Sequence, residues 1–130
     1  MPQISSLDHL VLTVADIDAT LRFYRDCLGM TAEAFEAGGQ LRQAVRFGDQ
    51  KINLHQAGRE FEPKSAHPMP GSADLCFLSQ TPLADWMAHL TEMSIPIEEG
   101  PVARTGARFA LTSIYLRDPD QNLIEISNRV

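Results

Sequence analysis

The stretch Asp8-His9-Leu10-Val11-Leu12-Thr13-Val14, followed by Asp16, is the most informative part of the sequence, because its pattern returns half a chain later. The second copy is Ala73-Asp74-Leu75-Cys76-Phe77-Leu78-Ser79, followed by Thr81. In both copies an alternating run typical of a strand leads into a residue typical of a helix N-cap. His9 precedes Asp16 by seven residues, and Asp74 precedes Thr81 by the same spacing. The sequence therefore predicts two similar modules.

Each predicted module consists of one strand, one helix and three further strands. For the first we predict strands over Leu7–Val14, Met30–Ala37, Leu41–Phe47 and Lys51–Gln56, and a helix from Asp16 to a left-handed Gly29. For the second we predict strands over Ala73–Ser79, Ile95–Glu98, Phe109–Leu116 and Asn122–Ser127, and a helix that Thr81 caps and Pro82 begins. A linker rich in proline and glycine separates module one, about 5–57, from module two, about 73–130, and spans 58–72. The chain is predicted to be a single α+β domain.

The composition and charge of the chain argue against two classes of partner, nucleic acids and membranes. The chain has 130 residues, a net charge of −6 and a sequence pI of about 5.1. It has no basic run to hold nucleic acid or an anionic membrane, and no apolar run of transmembrane length. Cys27 and Cys76 lie far apart, without the spacing of a zinc site. We therefore expect a soluble, cytoplasmic protein that binds neither nucleic acid nor a membrane.

The predicted strands place their polar groups on one face. Aliphatic residues alternate onto the face that would pack on the helices. The opposite, concave face receives His9, Asn53, His55, Asp74 and Glu125. Imidazoles and carboxylates that share a face are suitable ligands for a divalent metal ion such as Zn, Ni, Mn, Fe or Mg. For each residue taken singly, the alternative is an ordinary structural role as a hydrogen-bonded strand histidine or a loop cap.

Two signatures resemble the vicinal oxygen chelate superfamily, which includes glyoxalase I, fosfomycin-resistance enzymes, bleomycin-resistance proteins and extradiol dioxygenases. The first is the run from Leu7 to Asp16 with Phe23-Tyr24 and Leu28-Gly29-Met30. The second is Arg117-Asp118-Pro119-Asp120-Gln121-Asn122-Leu123-Ile124-Glu125, with Gln121 where glycine is usual. The runs Phe47–His55 and Pro70–Phe77 are most similar to the subgroup called glyoxalase-domain-containing protein five. The resemblance covers the whole chain and implies paired βαβββ modules that form a curved-sheet cup around a divalent metal.

The resemblance also implies a ligand set. Its positions fall on His9, Asn53, Asp74 and Glu125, of which His9 and Glu125 match the family fully. Asn53 stands where glyoxalase I has a glutamate, and Asp74 where several members have a histidine. His55, on the same face as Asn53, is a candidate replacement, so the predicted metal ligands are His9, His55, Asp74 and Glu125, with Glu125 also catalytic. These departures disfavour glyoxalase I activity and extradiol oxygen activation.

Three further residues are predicted to bind substrate. The strand register turns Arg46 inward with Arg42 and Ala44, and turns Ser113 and Tyr115 inward as well. Arginine and tyrosine near a metal would suit a carboxylate or phosphonate substrate. The alternative for Arg42 and Arg46 is that they are solvated charges of an edge strand. The segment Arg104–Arg108 is predicted to be a loop that closes over a ligand, or a surface turn.

The sequence supports two alternative functions, one as an enzyme and one as a binding protein. The first is an enzyme whose divalent metal acts as a Lewis acid on a small, oxygen-rich metabolite, in isomerase, lyase or thiol-addition chemistry. The second is a metal-free protein of the bleomycin-resistance type that binds and sequesters a small molecule. A homodimer is expected in either case, because each half leaves strand edges to cover. The sequence leaves open whether modules are exchanged between subunits.

Overall fold

Each half of the chain folds into the predicted strand–helix–three-strand module. The computed structural model describes residues 1–130, which form two units, Met1–Pro70 and Gly71–Val130. Unit one contains β1 (His9–Val14), α1 (Ile17–Arg22) with a π-helical continuation (Phe23–Cys27), β2 (Thr31–Ala37), β3 (Gln40–Phe47) and β4 (Gln50–Gln56). Unit two contains β5 (Asp74–Leu78), α2 (Leu83–Glu92), β6 (Glu99–Thr105), β7 (Ala110–Arg117) and β8 (Leu123–Arg129). The predicted α+β class and the paired βαβββ modules are confirmed.

The two sheets share one topology. The order is β1-β4-β3-β2 in unit one and β5-β8-β7-β6 in unit two. In each, the first strand runs parallel to the last and the remaining neighbours are antiparallel. Both sheets are open, so each first strand lies at an edge. This places the first and last strands of each module side by side.

The helix of unit one begins and ends as predicted. The Asp16 carboxylate accepts a hydrogen bond from the Ala19 amide at 3.1 Å, which satisfies one of the unpaired donors of the first turn. Gly29, at φ +72°, adopts the left-handed conformation that lets the chain leave the helix, and the Met30 amide then reaches back to the Tyr24 carbonyl at 3.0 Å. The chain is thereby turned directly into β2.

Alternation along the strands separates a core face from a polar face. Leu12, Val14, Ile52 and Leu54 are buried in unit one, and Ile124 and Ile126 are buried in unit two. The intervening positions define what we call the polar face, which carries His9 and Asn53 in unit one and Asp74 and Glu125 in unit two. This division between the faces agrees with the prediction from strand periodicity.

Two element boundaries in unit two were predicted wrongly. Thr81 does not cap α2. The side-chain oxygen of Asn128, on β8, accepts from the Leu83 amide at 2.8 Å instead. The predicted strand Ile95–Glu98 lacks regular structure, and β6 runs over Glu99–Thr105. Pro96 has no amide to donate to a ladder, whereas Pro101 is tolerated in β6 because that strand lies at the sheet edge and its register shifts between Glu99 and Val102.

Candidate functional site

Strand register places the four ligand positions implied by the family resemblance at equivalent places in the two units. In unit one His9 pairs with Lys51, and Asn53 lies two residues further along β4. In unit two Asp74 pairs with Leu123, and Glu125 lies two residues further along β8. Asn53 is therefore the counterpart of Glu125. His55 lies two residues beyond Asn53 on β4 and pairs with Thr13, so it is further along the sheet from His9.

His9 is oriented by the residue before it. Its Nδ1 lies 2.8 Å from a carboxylate oxygen of Asp8. With Nδ1 protonated, the contact leaves the Nε2 lone pair available. Histidines that bind metals usually donate their other ring nitrogen to such a carboxylate or carbonyl. The hydrogen bond from His9 also lowers the pKa of the Asp8 carboxyl.

Asn53 presents an acceptor that the fold does not satisfy. Its Oδ1 atom is buried and has no hydrogen-bond partner, as is also true of the Arg42 Nε atom. Buried polar atoms are nearly always paired, so an orphaned one indicates a position where a bound group would be stabilised. The amide oxygen of Asn53 is a neutral ligand for a hard cation, weaker than the glutamate of glyoxalase I.

His55 occupies a different environment from His9. It is buried, and its ring meets Phe61 edge-on with centroids 5.4 Å apart, while the Arg42 guanidinium lies 4.1 Å from the same Phe61 ring. Burial first, and then the charge of Arg42, lower the pKa of His55, so its imidazole is neutral near pH 7. His55 borders a cavity of about 250 Å³ with Val11, Thr13, Pro63, Lys64, Ser65 and Pro68. Part of the segment predicted as a linker therefore packs on the polar face of unit one.

Glu125 is held by two buried serines. Ser113 Oγ donates to Glu125 Oε2 at 2.6 Å, Ser127 Oγ lies 3.2 Å from the same oxygen, and the two hydroxyls are 2.6 Å apart. Both serines are fully buried. Ser127 was missed by the sequence analysis, although it shares a strand face with Glu125. Ser113 was predicted to bind substrate, and the structure places it beside Glu125.

The donors of this network can be counted. An ionised carboxylate only accepts hydrogen bonds, and each hydroxyl has one proton to give. The Cys76 sulfur lies 3.3 Å from Ser127 Oγ, and burial above all raises the pKa of the Cys76 thiol, which keeps its proton. Ser113 therefore donates to Glu125 Oε2, Ser127 shares its one proton between the Ser113 oxygen and the same Glu125 oxygen, and the Cys76 thiol can donate to Ser127. This network fixes the orientation of the Glu125 carboxylate.

Tyr115 adds a phenol beside Glu125. The two residues are register partners on β7 and β8. Arg104 Nε donates to the Tyr115 hydroxyl oxygen at 2.8 Å, and the Arg104 guanidinium also lies 3.5 Å from Glu99. Partial burial raises the pKa of Tyr115 more than the Arg104 hydrogen bond lowers it, so the phenol keeps its proton. A hydrogen bond to Glu125 also raises the Tyr115 pKa, so the phenol proton can be donated to Glu125 or to a ligand oxygen.

The other two predicted site residues lie on the polar faces but differ in their partners. Arg46 donates twice to Glu33, at 2.9 and 3.1 Å, so its charge is balanced within unit one. Asp74 is exposed at the start of β5, where its neighbour Ala73 is held through its amide by the Asn122 side chain at 2.9 Å. Arg46 is therefore a less available anion-binding group than its position on the strand indicated.

Glu125 lies at a cavity in unit two of about 320 Å³. The other residues that border it are Cys76, Leu78, Thr105, Gly106, Ala107, Arg108, Phe109 and Leu111. The loop that closes one side turns sharply at Gly106, where a Cβ atom would lie 2.8 Å from the Phe109 carbonyl oxygen and 2.9 Å from a Leu111 methyl carbon. The predicted loop Arg104–Arg108 thus divides: Arg104 and Thr105 end β6, and the rest borders the cavity.

The chemical types of these side chains are suitable for binding a divalent metal. Each unit brings a first-strand and a last-strand donor to matching places: an imidazole and an amide oxygen in unit one, and two carboxylates in unit two. The orphaned Asn53 oxygen and the hydrogen-bonded His9 and Glu125 side chains have the supports that metal ligands need. No three histidine, cysteine or acidic side chains are gathered into a metal-binding group in the structure.

Comparisons with known proteins agree with this arrangement. The family model of the Glyoxalase/Bleomycin resistance protein/Dioxygenase superfamily matches residues 6–126. Virulence protein STM3117 of Salmonella typhimurium is 56% identical over 98% of this chain and 86% of its own length. Glyoxalase domain-containing protein RDO1 of Mycosarcoma maydis is 55% identical over 96% of this chain and 69% of its own length. An integron cassette protein from V. cholerae superposes with a TM-score of 0.93 at 58% identity, over 98% of each chain.

More distant structures share the fold alone. Lactoylglutathione lyase from Agrobacterium tumefaciens has a TM-score of 0.72 at 24% identity, over 98% of this chain and 96% of that one. The antibiotic binding protein TnmS3 from Streptomyces has a TM-score of 0.75 at 19% identity, over the whole of both chains. No helix has the length and apolar character needed to cross a membrane. The chain belongs to the glyoxalase/bleomycin resistance protein/dioxygenase superfamily.

Proposed function

We propose that the protein is a metal-dependent enzyme that acts on a small, oxygen-rich molecule, in lyase, isomerase or thiol-addition chemistry. The observation that carries the proposal is the placement of Glu125. Its carboxylate is held by two fully buried hydroxyls and borders a cavity large enough for a small metabolite. A carboxylate that served only the core would not need an oriented oxygen at a cavity.

The residues of unit two have distinct roles in this proposal. Ser113 and Ser127 bind Oε2 of Glu125, so Oε1 is the oxygen proposed to meet the ligand. Glu125 would accept a proton from the substrate, with its orientation fixed in advance by the serines. Tyr115 would donate a hydrogen bond to a substrate oxygen that gains negative charge.

The proposed metal ligands are His9, Asp74 and Glu125, with Asn53 favoured over His55 because it is the register counterpart of Glu125. A divalent ion bound by residues of this set would polarise a substrate oxygen as a Lewis acid. The neutral, ring-packed His55 is better suited to bordering the cavity of unit one.

Metal content tests this proposal. Protein stripped with a chelator is reloaded with Mn, Zn, Ni, Fe or Mg, desalted and analysed by elemental mass spectrometry. We expect about one ion per chain in the wild type for at least one metal, and a loss of most of it in His9→Ala and Glu125→Ala. His67→Ala, a change at an exposed histidine outside the set, is the matched control. Equal loading of all four proteins would contradict metal binding at these residues.

A second candidate function, a small-molecule binding protein without a metal, is favoured by Asn53. A neutral amide at a usual carboxylate position removes a charge that would attract a cation. Thermal unfolding in buffer with chelator distinguishes the two functions. A ligand that raises the melting temperature strongly without metal supports the binding protein, and one that acts only with metal supports the enzyme.

A further inference from the structure

The cavity of unit two has an apolar wall and one cationic side. Leu78, Phe109 and Leu111 form most of its apolar lining, and Glu125 and Arg108 are its charged residues. Glu125 and Arg129 lie four positions apart on the same face of β8, which is roughly 13 Å between their Cα atoms. Arg129 does not itself border the cavity, but its guanidinium lies over the Phe109 ring that does, so its positive charge lies on the Phe109 side, away from Glu125.

Two arginines share the Phe109 ring on the cationic side. The guanidinium carbon of Arg108 lies 4.9 Å from the ring centroid, and that of Arg129 lies 4.4 Å from it. Neither arginine forms an ion pair, whereas Arg25, Arg46, Arg104 and Arg117 each have a carboxylate partner. Two unpaired cations over one ring repel each other, and a bound anion would remove that repulsion. In a chain of net charge −6 this is an unusual local excess of positive charge.

The backbone of the loop that carries Arg108 has a defined position at the cavity rim. The loop from Gly106 to Phe109 is closed by the Gly106 amide, which donates to the Phe109 carbonyl at 3.0 Å. The close contacts at Gly106 leave no room for a side chain there, so the loop lies tightly against Leu111. The loop backbone thus fixes the point at the cavity rim from which the exposed Arg108 side chain extends.

We propose that the cavity of unit two binds a small carboxylate with an aromatic or similarly flat apolar body. The carboxylate would lie on Arg108 and Arg129, and the body against Leu78, Phe109 and Leu111. A hydroxyl or carbonyl at the far end would lie at Glu125, where a second carboxylate would be repelled. This assignment of a substrate class depends on the proposed function for its chemistry, but the binding itself requires no metal.

Matched probes test the orientation directly. 4-(Hydroxymethyl)benzoate has a carboxylate at one end and a hydroxyl at the other. 4-(Hydroxymethyl)benzamide has the same shape without the charge, and 4-ethylbenzoate lacks the hydroxyl. Dissociation constants are measured by NMR titration in buffer with chelator. We expect the amide to bind roughly tenfold more weakly than the carboxylate, because a charge-assisted contact is lost, and the ethyl compound to bind more weakly than the hydroxymethyl one.

Variants assign the charge effect to the two arginines. Arg108→Gln and Arg129→Gln are each expected to weaken carboxylate binding about fivefold and to leave amide binding unchanged. Arg59→Gln, at an exposed arginine of unit one that also forms no ion pair, is the matched control and should change neither constant. The proposal is overturned if the amide binds as well as the carboxylate, or if Arg59→Gln has the same effect as Arg108→Gln. Because no metal is present, such a failure is distinct from a failure of metal loading.

Discussion

At the scale of single residues, the serine pair beneath Glu125 is the feature that stability measurements can test. Ser127 contacts Ser113, Glu125 and Cys76, so Ser127→Ala removes a donor from one partner and an acceptor from another in a buried site. We expect the free energy of unfolding to fall by about 1–3 kcal/mol. Urea denaturation measures it, with exposed Ser65→Ala as the control.

The effects of Ser113 and Ser127 on the free energy of unfolding should be coupled. In a double-mutant cycle of Ser113→Ala and Ser127→Ala, the two losses should differ from additivity by about 0.5–3 kcal/mol, since both residues act on one oxygen. Additive losses would mean that the two hydroxyls stabilise the fold independently and do not act as one hydrogen-bonded unit.

His55 gives a pH dependence with a defined sign. Its pKa in the folded protein is lowered from the ordinary value of 6.5, chiefly by burial and then by Arg42, while Glu60 opposes the shift. The unfolded state therefore binds more protons as pH falls below about 6.5, and stability is lost there by at most about 1.4 kcal/mol per pH unit. Above the unfolded-state pKa the contribution is fully present.

Urea unfolding between about pH 7.5 and pH 5.5 checks this dependence. His55→Gln should flatten the decline relative to the wild type, and exposed His67→Gln should not. An unchanged decline in His55→Gln would assign the acid sensitivity to other groups.

At the scale of elements, α2 depends on a distant side chain for its start. Asn128 accepts from the Leu83 amide and donates to the carbonyls of Ser79 and Thr81, at 2.8, 3.0 and 2.9 Å. Asn128→Ala should cost about 1–3 kcal/mol, because it removes a helix cap and leaves two carbonyls unpaired. Thr81→Ala, at the cap that the sequence predicted, should cost less than about 0.5 kcal/mol. If thermal or urea unfolding showed equal losses of stability in the two variants, Thr81 would contribute to capping as much as Asn128.

The contrast between Asp16 and Thr81 shows what local sequence can predict. Asp16 caps through its own side chain, so the pattern and the structure agree. The cap of α2 comes from β8, which lies far along the chain and becomes a neighbour only through the parallel pairing of β5 with β8. Likewise, alternation predicted that Glu125 and Ser113 face inward, but not that Ser127 completes their hydrogen bonds. Contacts between separate strands depend on register, which local periodicity does not fix.

At the scale of the whole molecule, we expect a homodimer. Several large apolar residues are exposed, among them Ile4 at 94%, Leu41 at 64% and Val11 at 45%. Exposed apolar surface together with open sheet edges favours association between chains. Light scattering at micromolar concentration should give twice the 14.4 kDa of one chain. A mass near 14.4 kDa in protein that still binds ligand would show that the dimer is not needed.

We propose that Glu125, oriented by Ser113 and Ser127, is a reactive metal-binding carboxylate. A titration with Mn²⁺ followed by electron paramagnetic resonance, on wild-type protein, Glu125→Gln and Ser127→Ala, measures what the carboxylate and its supporting hydroxyl contribute. Glu125→Gln, which keeps the shape of the side chain, is expected to weaken Mn²⁺ binding roughly tenfold or more. Ser127→Ala should weaken it by a smaller factor within the roughly 10–100-fold range typical of residues that support metal ligands. Equal Mn²⁺ affinity in all three proteins, with each one folded, would contradict the claim.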